Sequence, residues 1–462
     1  MLGGALHSDA VAVSQTVSLR AARVREEVAP GALLLAAAIP ILFLHIRFQP
    51  GVRVPLGSTH LGLELSDAAV VVVGVAALAV GLRDGFARLR AGLLVWIAAA
   101  GLLLWIVIRT QTLAHAVTAA KFGEYALLAL AAPLLLRRRS DYELVAAVFG
   151  GWSVVATFVG LLQFFGADLA GAWPAGRRQP SFLGHFDFAA LSGIALGIGL
   201  AALIIGRRRI GWIPVVSGVL GLVLAGAVAG LAGVAAAGIA LLYAARGRDA
   251  LTRRAVLLVV ATTAVTAVGI VSLRAGDFEQ FLRFAGVKQA ERSTRSNVQT
   301  YAHHTLLAYI GYRIWLRHPA AGAGWQASGE HSAYAPELPA AHRKFPGVSP
   351  LSFPGPGHEY GVQNAYVQML ADLGVVGLVL WLGLFAAGLV LALRANAPPG
   401  AVAAYGLLVA MGIWAAQGLV AGLPLDGLTW LGLGFAATAA ANAEAPLAVP
   451  PSGRAGSARA SV

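Results

Sequence analysis

The chain contains no cysteine, so neither a disulfide nor a thiolate metal site contributes to its fold or chemistry. Charge is scarce as well. Asp, Glu, Lys and Arg together make up 12% of the 462 residues against 58% hydrophobic, which excludes an ordinary soluble globular chain and leaves a polytopic membrane protein. Acidic residues are the scarcest, and the formal net charge is +13. Nucleic acid is excluded as the partner of that charge by its placement, because the arginines sit in short clusters between apolar runs. Metal-ligand patterns are missing too: the histidines do not fall at zinc spacing, and no paired-aspartate loop for a divalent ion occurs. No metal and no cofactor are expected.

What is present is a series of apolar segments, each near the roughly 17–25 residues that cross a bilayer core. Spans are expected near 31–46, 66–82, 91–109, 118–136, 143–165, 186–206, 210–226, 229–245, 254–273, 365–393, 401–420 and 424–442. The run 210–245 is too long for one crossing and is split at its glycines, Gly226, Gly230 and Gly233. The fold class expected is therefore all-α and polytopic, with about twelve transmembrane helices. Arginine clusters at 20–25, 83–90, 137–139, 207–209 and 246–254, with Arg394, fall on one side under this count. The positive-inside bias makes that side cytoplasmic, in a bacterial inner membrane with both termini inside. Residues 1–30 read as a cytoplasmic segment leading into an uncleaved signal anchor. The Pro-, Ser-, Gly- and Ala-rich tail from Ala445 reads as disordered.

Between the ninth and tenth spans lies a polar run, 276–364, far longer than the 12–15 residues or so of an ordinary connector. It falls on the outer side, as does the shorter loop 166–185. Leu306, Leu307, Ile310 and Ile314 recur at helical spacing, so 300–317 is expected to be an amphipathic helix near the membrane surface. Its polar side carries His303, His304, Arg313 and Arg317. Arg313 and Arg317 are i,i+4 and repel unless an anion or carboxylate lies between them. Pro319, Gly322 and Gly324 end that helix. Regular structure is expected to be sparse over 326–362, which holds His358 and Glu359. Lys121 and Glu124, one turn apart in the fourth span, read as a structural pair. Asp187 and Asp372 sit near the starts of their spans, where the helix dipole favours a carboxylate. Arg177 and Arg178 run against the topological bias on the outer face. They serve either anionic lipid headgroups or a phosphate gripped bidentately.

Three stretches resemble the O-antigen ligase and polymerase superfamily of bacterial membrane proteins. The segment Arg178-Gln179-Pro180-Ser181-Phe182-Leu183-Gly184-His185-Phe186-Asp187 is similar to that family's Arg-x-x-Gly-Thr-Phe-Gly-His-Pro-Asn run, with Ser181 for glycine and Asp187 for asparagine. The stretch 317–324 resembles its Pro-x-x-Gly-x-Gly signature. The stretch 363–377 resembles the block with which the family re-enters the membrane, with Gln363 in place of its histidine before Asn364. The family's Ser-Arg pair has no counterpart near Ala227-Val228, and its second arginine maps to His304 unless the register shifts to Arg292 or Arg295.

The resemblance implies a GT-C-like, inverting, metal-independent glycosyltransferase, polymerase or ligase of a surface polysaccharide. Its donor is an undecaprenyl-diphosphate-linked glycan, its acceptor a hydroxyl on a glycan or lipid, and its setting the membrane lipids. Arg178 leads the diphosphate candidates, with Arg295 and Arg313 behind it and Arg177, Arg317, Asp187, Gln363, Asn364 and Tyr366 as further substrate contacts. With glutamine at 363, the base candidates are His358 and Glu359, then His303 and His304. Two other classes stay open: a transporter or flippase of a lipid-linked solute, and a non-catalytic glycan-binding membrane protein.

Overall fold

The structure, a computed structural model, describes residues 28–56, 59–205, 208–246, 252–284, 300–355, 358–395, 397–418 and 425–444. Arg20, Arg23, Arg25, Arg207, Arg248, Arg292, Arg295 and the tail beyond 444 lie outside the described residues. Among the described residues the molecule is mostly helical, at 78%.

In chain order the helices are α1 (Pro30–Leu42), α2 (Leu65–Asp84), α3 (Leu93–Ile108), α4 (Leu113–Leu135), α5 (Arg139–Phe164), α6 (His185–Ile204), α7 (Arg208–Ala225), α8 (Val228–Arg246) and α9 (Arg253–Leu273). The polar run adds α10 (Ala275–Phe284), α11 (Thr300–Arg317), α12 (His331–Tyr334) and α13 (Leu338–Lys344). Then come α14 (Ala365–Arg394), α15 (Pro398–Trp414) and α16 (Leu425–Glu444). Each stretch expected to span is built mainly of helix among its described residues. Among the described residues seven segments are long and apolar enough to cross a membrane: α2, Ala87–Ile108, α4, α5, α6, α9 and α14. Four apolar helices are shorter, α1 and α15 among them. Side chains such as Leu82, Val75, Ile97 and Val268 stand more than half exposed around the outside, an apolar girdle that only lipid covers at no cost.

Three expectations are corrected. An antiparallel hairpin, β1 (Gly51–Leu56) with β2 (Thr59–Glu64), joins α1 to α2; six-residue strands are too short to stand out beside long apolar runs. The stretch 326–362 is not sparse in structure, holding α12, α13 and three 3₁₀ turns, because each helical piece is too short to show a period. Lys121 does not pair with Glu124. Its Nζ reaches across to α2, 2.9 Å from Asp67 Oδ2 and 3.5 Å from Glu64 Oε2, where two carboxylates at one helix start outweigh a single one a turn away.

Among the seven long apolar segments α6 is the most enclosed, with 72% of its apolar window buried. Small residues allow this: a Cβ at Gly199 would lie 2.7 Å from the Gly211 carbonyl of α7, and one at Gly218 would lie 2.7 Å from Leu196 N. The segment between α9 and α14 is anchored to the bundle by Trp325. Its fully buried ring packs 5.7 Å from Phe122 of α4, and its Nε1 donates to Thr118 Oγ1 at 2.9 Å. The apolar face of α11 is covered by protein rather than lipid, since Leu306, Ile310 and Ile314 pack with Tyr334, Ala341, Phe353 and Ala371.

Helix α14 is broken. Gly374 has φ 69° and ψ −167°, outside the helical region. The groups released by the break are taken up by the segment after α11: Ala323 N donates to Ala371 O (2.7 Å), Gly324 N to Asp372 O (2.8 Å) and Val375 N to Pro319 O (2.9 Å). A Cβ at Gly374 would stand 2.1 Å from Ala320 O, so only glycine fits. Asp372, fully buried, accepts from Ser328 N (2.8 Å) and Gln368 Nε2 (3.0 Å). Two of the glycine-marked stretches of the sequence are thus a single seam.

Candidate functional site

The loop 166–185 is shaped by two buried glutamines. Gln179 accepts from Trp173 N and donates to the carbonyls of Trp173, Pro174 and Arg177. Gln163 of α5 accepts from Ser181 N at 2.8 Å and donates to Ser181 O at 3.0 Å. Ser181 is held at φ 55°, a left-handed conformation natural to glycine, and its hydroxyl donates to Ala156 O. This is the position at which the resemblance expects glycine.

So held, the loop carries Arg178 with its guanidinium 4.5 Å above the Trp173 ring. The edge of His185 meets the same indole at 4.2 Å. Arg178 lies beside a second arginine, Arg274, which follows the last residue of α9. Arg274 is 6% exposed, donates from Nη1 to Gly226 O at 3.0 Å and pairs through Nε with Asp277 at 2.8 Å. Gly226, in the α7–α8 turn at φ 61°, is where the two side chains converge. A Cβ there would be 3.0 Å from Arg178 Cβ and 3.3 Å from Arg274 Cδ.

His304 of α11 completes the group. Its Nδ1 lies 3.2 Å from the Gln363 carbonyl. A carbonyl only accepts, so Nδ1 carries the proton and Nε2 keeps the lone pair of the neutral ring. Burial pushes the His304 pKa below its ordinary value of 6.5; the bond to Gln363 opposes this, and the charges of Arg178 and Arg274 add to the lowering. A neutral imidazole with a fixed tautomer therefore stands in the field of two guanidiniums.

The remaining predicted residues have other surroundings. His303 is buried, with Nδ1 donating to Ser352 O at 2.9 Å and its ring against Tyr360; burial lowers its pKa as well. His358 and Glu359 are exposed on the segment before α14, His358 beside Tyr360. Arg313 and Arg317 share the fully buried Glu337, at 2.8 and 2.6 Å; of the anion or carboxylate their spacing calls for, it is a carboxylate of the chain. Asn364 caps α14, accepting from Val367 N at 3.0 Å and donating to Ala415 O at 2.8 Å. Tyr366 donates to Met411 O at 2.7 Å. Asp187 lies in the first turn of α6, its Oδ2 near Gly184 on the side of His45. Arg177 is exposed on the loop 166–185.

Arg274 is not among the residues picked out from the sequence, although a signal exists: it closes an apolar span on the face expected to be the outer one, where arginine runs against the positive-inside bias as Arg178 does. No group of three metal-ligating side chains occurs among the described residues. In comparison with known proteins, no family model matches the chain and no curated protein is significantly similar to it.

Proposed function

We propose that this protein is an inverting, metal-independent glycosyltransferase of the O-antigen ligase and polymerase type, built on a twelve-span bundle. It moves glycan from an undecaprenyl-diphosphate carrier to an acceptor hydroxyl at the outer face of the inner membrane. The observation that carries the reading is the convergence of Arg178 and Arg274 at the Gly226 turn, beside a neutral His304.

In the proposed step the acceptor oxygen bonds to the anomeric carbon as the bond from that carbon to the phosphate oxygen breaks. The diphosphate leaves with the electron pair. Two converging guanidiniums, that of Arg274 buried, suit the charge that develops on it, and Arg274 lies against the Gly226 turn, where the resemblance has no arginine at 227–228. The acceptor proton passes to His304 Nε2, whose lowered pKa keeps it unprotonated at neutral pH. His304 thereby takes the part left open by Gln363, whose own backbone carbonyl fixes the tautomer.

The test uses purified protein in nanodiscs with EDTA and a lipid-diphosphate-linked oligosaccharide from the source cells, following free lipid diphosphate. Release with a longer glycan on the same carrier identifies a polymerase, and release with the glycan on another molecule a ligase. Absence of release with the donor still bound favours the transporter or binding-protein reading and sinks this one.

A further inference from the structure

Thirteen residues after His304 on α11, about 20 Å along the helix axis, Arg317 lines a half-enclosed cavity of about 200 Å³. Its other polar walls are Gln111 from the α3–α4 turn, His318, Glu330 and Ser332, and its aliphatic floor includes Ile314. These groups are held by the protein itself. Gln111 Nε2 donates to Ala323 O at 2.8 Å, Glu330 Oε1 lies 3.0 Å from the buried His115, and Arg317 is paired with Glu337.

The chemistry of the walls narrows the ligand. Arg317 is offset by Glu337 and Glu330 rests against the His115 imidazole, so the cavity offers donors and acceptors in roughly equal measure. A phosphate would meet the Glu330 carboxylate, and a cation would meet Arg317 and His318. A largely apolar ligand would strand five polar groups. A neutral polyhydroxyl ring suits both the mixed hydrogen-bonding rim and the aliphatic floor. The volume, below the ~300–1,000 Å³ of drug-sized sites, admits one such ring.

We infer that this cavity is a saccharide subsite, holding one neutral sugar ring of the glycan at a distance from the bond being made. The inference rests on the glycosyltransferase reading for its role, though not for its binding chemistry. A subsite so far from the reacting carbon would let the protein distinguish a completed oligosaccharide from a shorter one before transfer.

The experiment uses full-length protein in nanodiscs and, as probe, the oligosaccharide released by mild acid from the source cells' lipid-linked pool. Saturation-transfer NMR reads binding to wild type, to Ser332→Trp, which fills the cavity from its exposed rim, and to Glu330→Gln, which keeps the shape and removes an acceptor charge. Wild type is expected to bind; Ser332→Trp is expected to lose binding, and Glu330→Gln to weaken it about tenfold, the worth of one hydrogen bond. The ratio of kcat/KM for a full-length over a one-sugar lipid-linked donor is expected to fall about tenfold in Ser332→Trp. Binding that is absent in wild type, or unchanged in a folded Ser332→Trp, overturns the subsite. Binding that behaves as expected while no donor is ever cleaved leaves the subsite standing and removes the transferase reading instead.

Discussion

At the scale of single residues, the proposed chemistry turns on three side chains whose losses differ in kind. Arg178→Ala is expected to lower turnover about 10²–10³-fold, as for removal of one donor from a charge-stabilising site. Arg274→Lys keeps the charge but loses the planar fork that serves Gly226 O and Asp277 together, so turnover is expected to fall despite a conserved charge. Both are read as release of free lipid diphosphate. His304 gives a pH signature. Because its pKa lies below 6.5, the unprotonated base persists below that pH, and the wild-type rate is expected to hold through pH 6.5 and fall only under more acidic conditions. His304→Gln should lose about 10²–10⁴-fold and with it that acidic limb; a limb that survives the substitution assigns the base elsewhere. Arg178 was legible as a charge on the face expected to be the outer one, and the need for an anion or carboxylate between Arg313 and Arg317 followed from their spacing. Its identity as Glu337, twenty residues or more further on, did not, and neither did the choice of His304 over His358: only the fold sets one beside the arginines and leaves the other exposed.

Among the elements, the broken helix α14 has the most at stake. Gly374→Ala combines a left-handed backbone, about 1–3 kcal/mol of strain, with a Cβ 2.1 Å from Ala320 O, and is expected to lower the thermal midpoint in nanodiscs clearly. Gly383→Ala, in the same helix with open space around it, is expected to be neutral or slightly stabilising. Equal effects from the two would show that the break does not matter. Trp325→Ala should cost on the order of 3–5 kcal/mol, since it empties a fully buried indole site, and should detach the segment between α9 and α14 from α4. The sequence showed the glycines and the proline of 319–324 as punctuation, yet the apolar period of 365–393 runs straight through Gly374 and gives no hint of a break. Periodicity records which face is apolar; it is blind to a main-chain partner arriving from fifty residues earlier.

For the whole molecule, the arginine clusters already divide the chain into two sides, and the fold brings one set together: Arg137 pairs with Asp84, and Arg88 donates to Pro133 O, Leu136 O and Asn442 Oδ1. Because the chain has no cysteine, single introduced cysteines report sidedness without background. Lys344→Cys is expected to react with an impermeant maleimide on intact spheroplasts, and Arg139→Cys only after permeabilisation; the reverse pattern would invert the topology and place the arginine pair on the wrong side for an exported donor. The seam between 319–324 and α14 also bears on how such a molecule diverges. Its hydrogen bonds run from main chain to main chain, so it constrains the glycines and leaves most neighbouring side chains at liberty to change. A lineage can rewrite nearly every residue around such a joint and still inherit the joint.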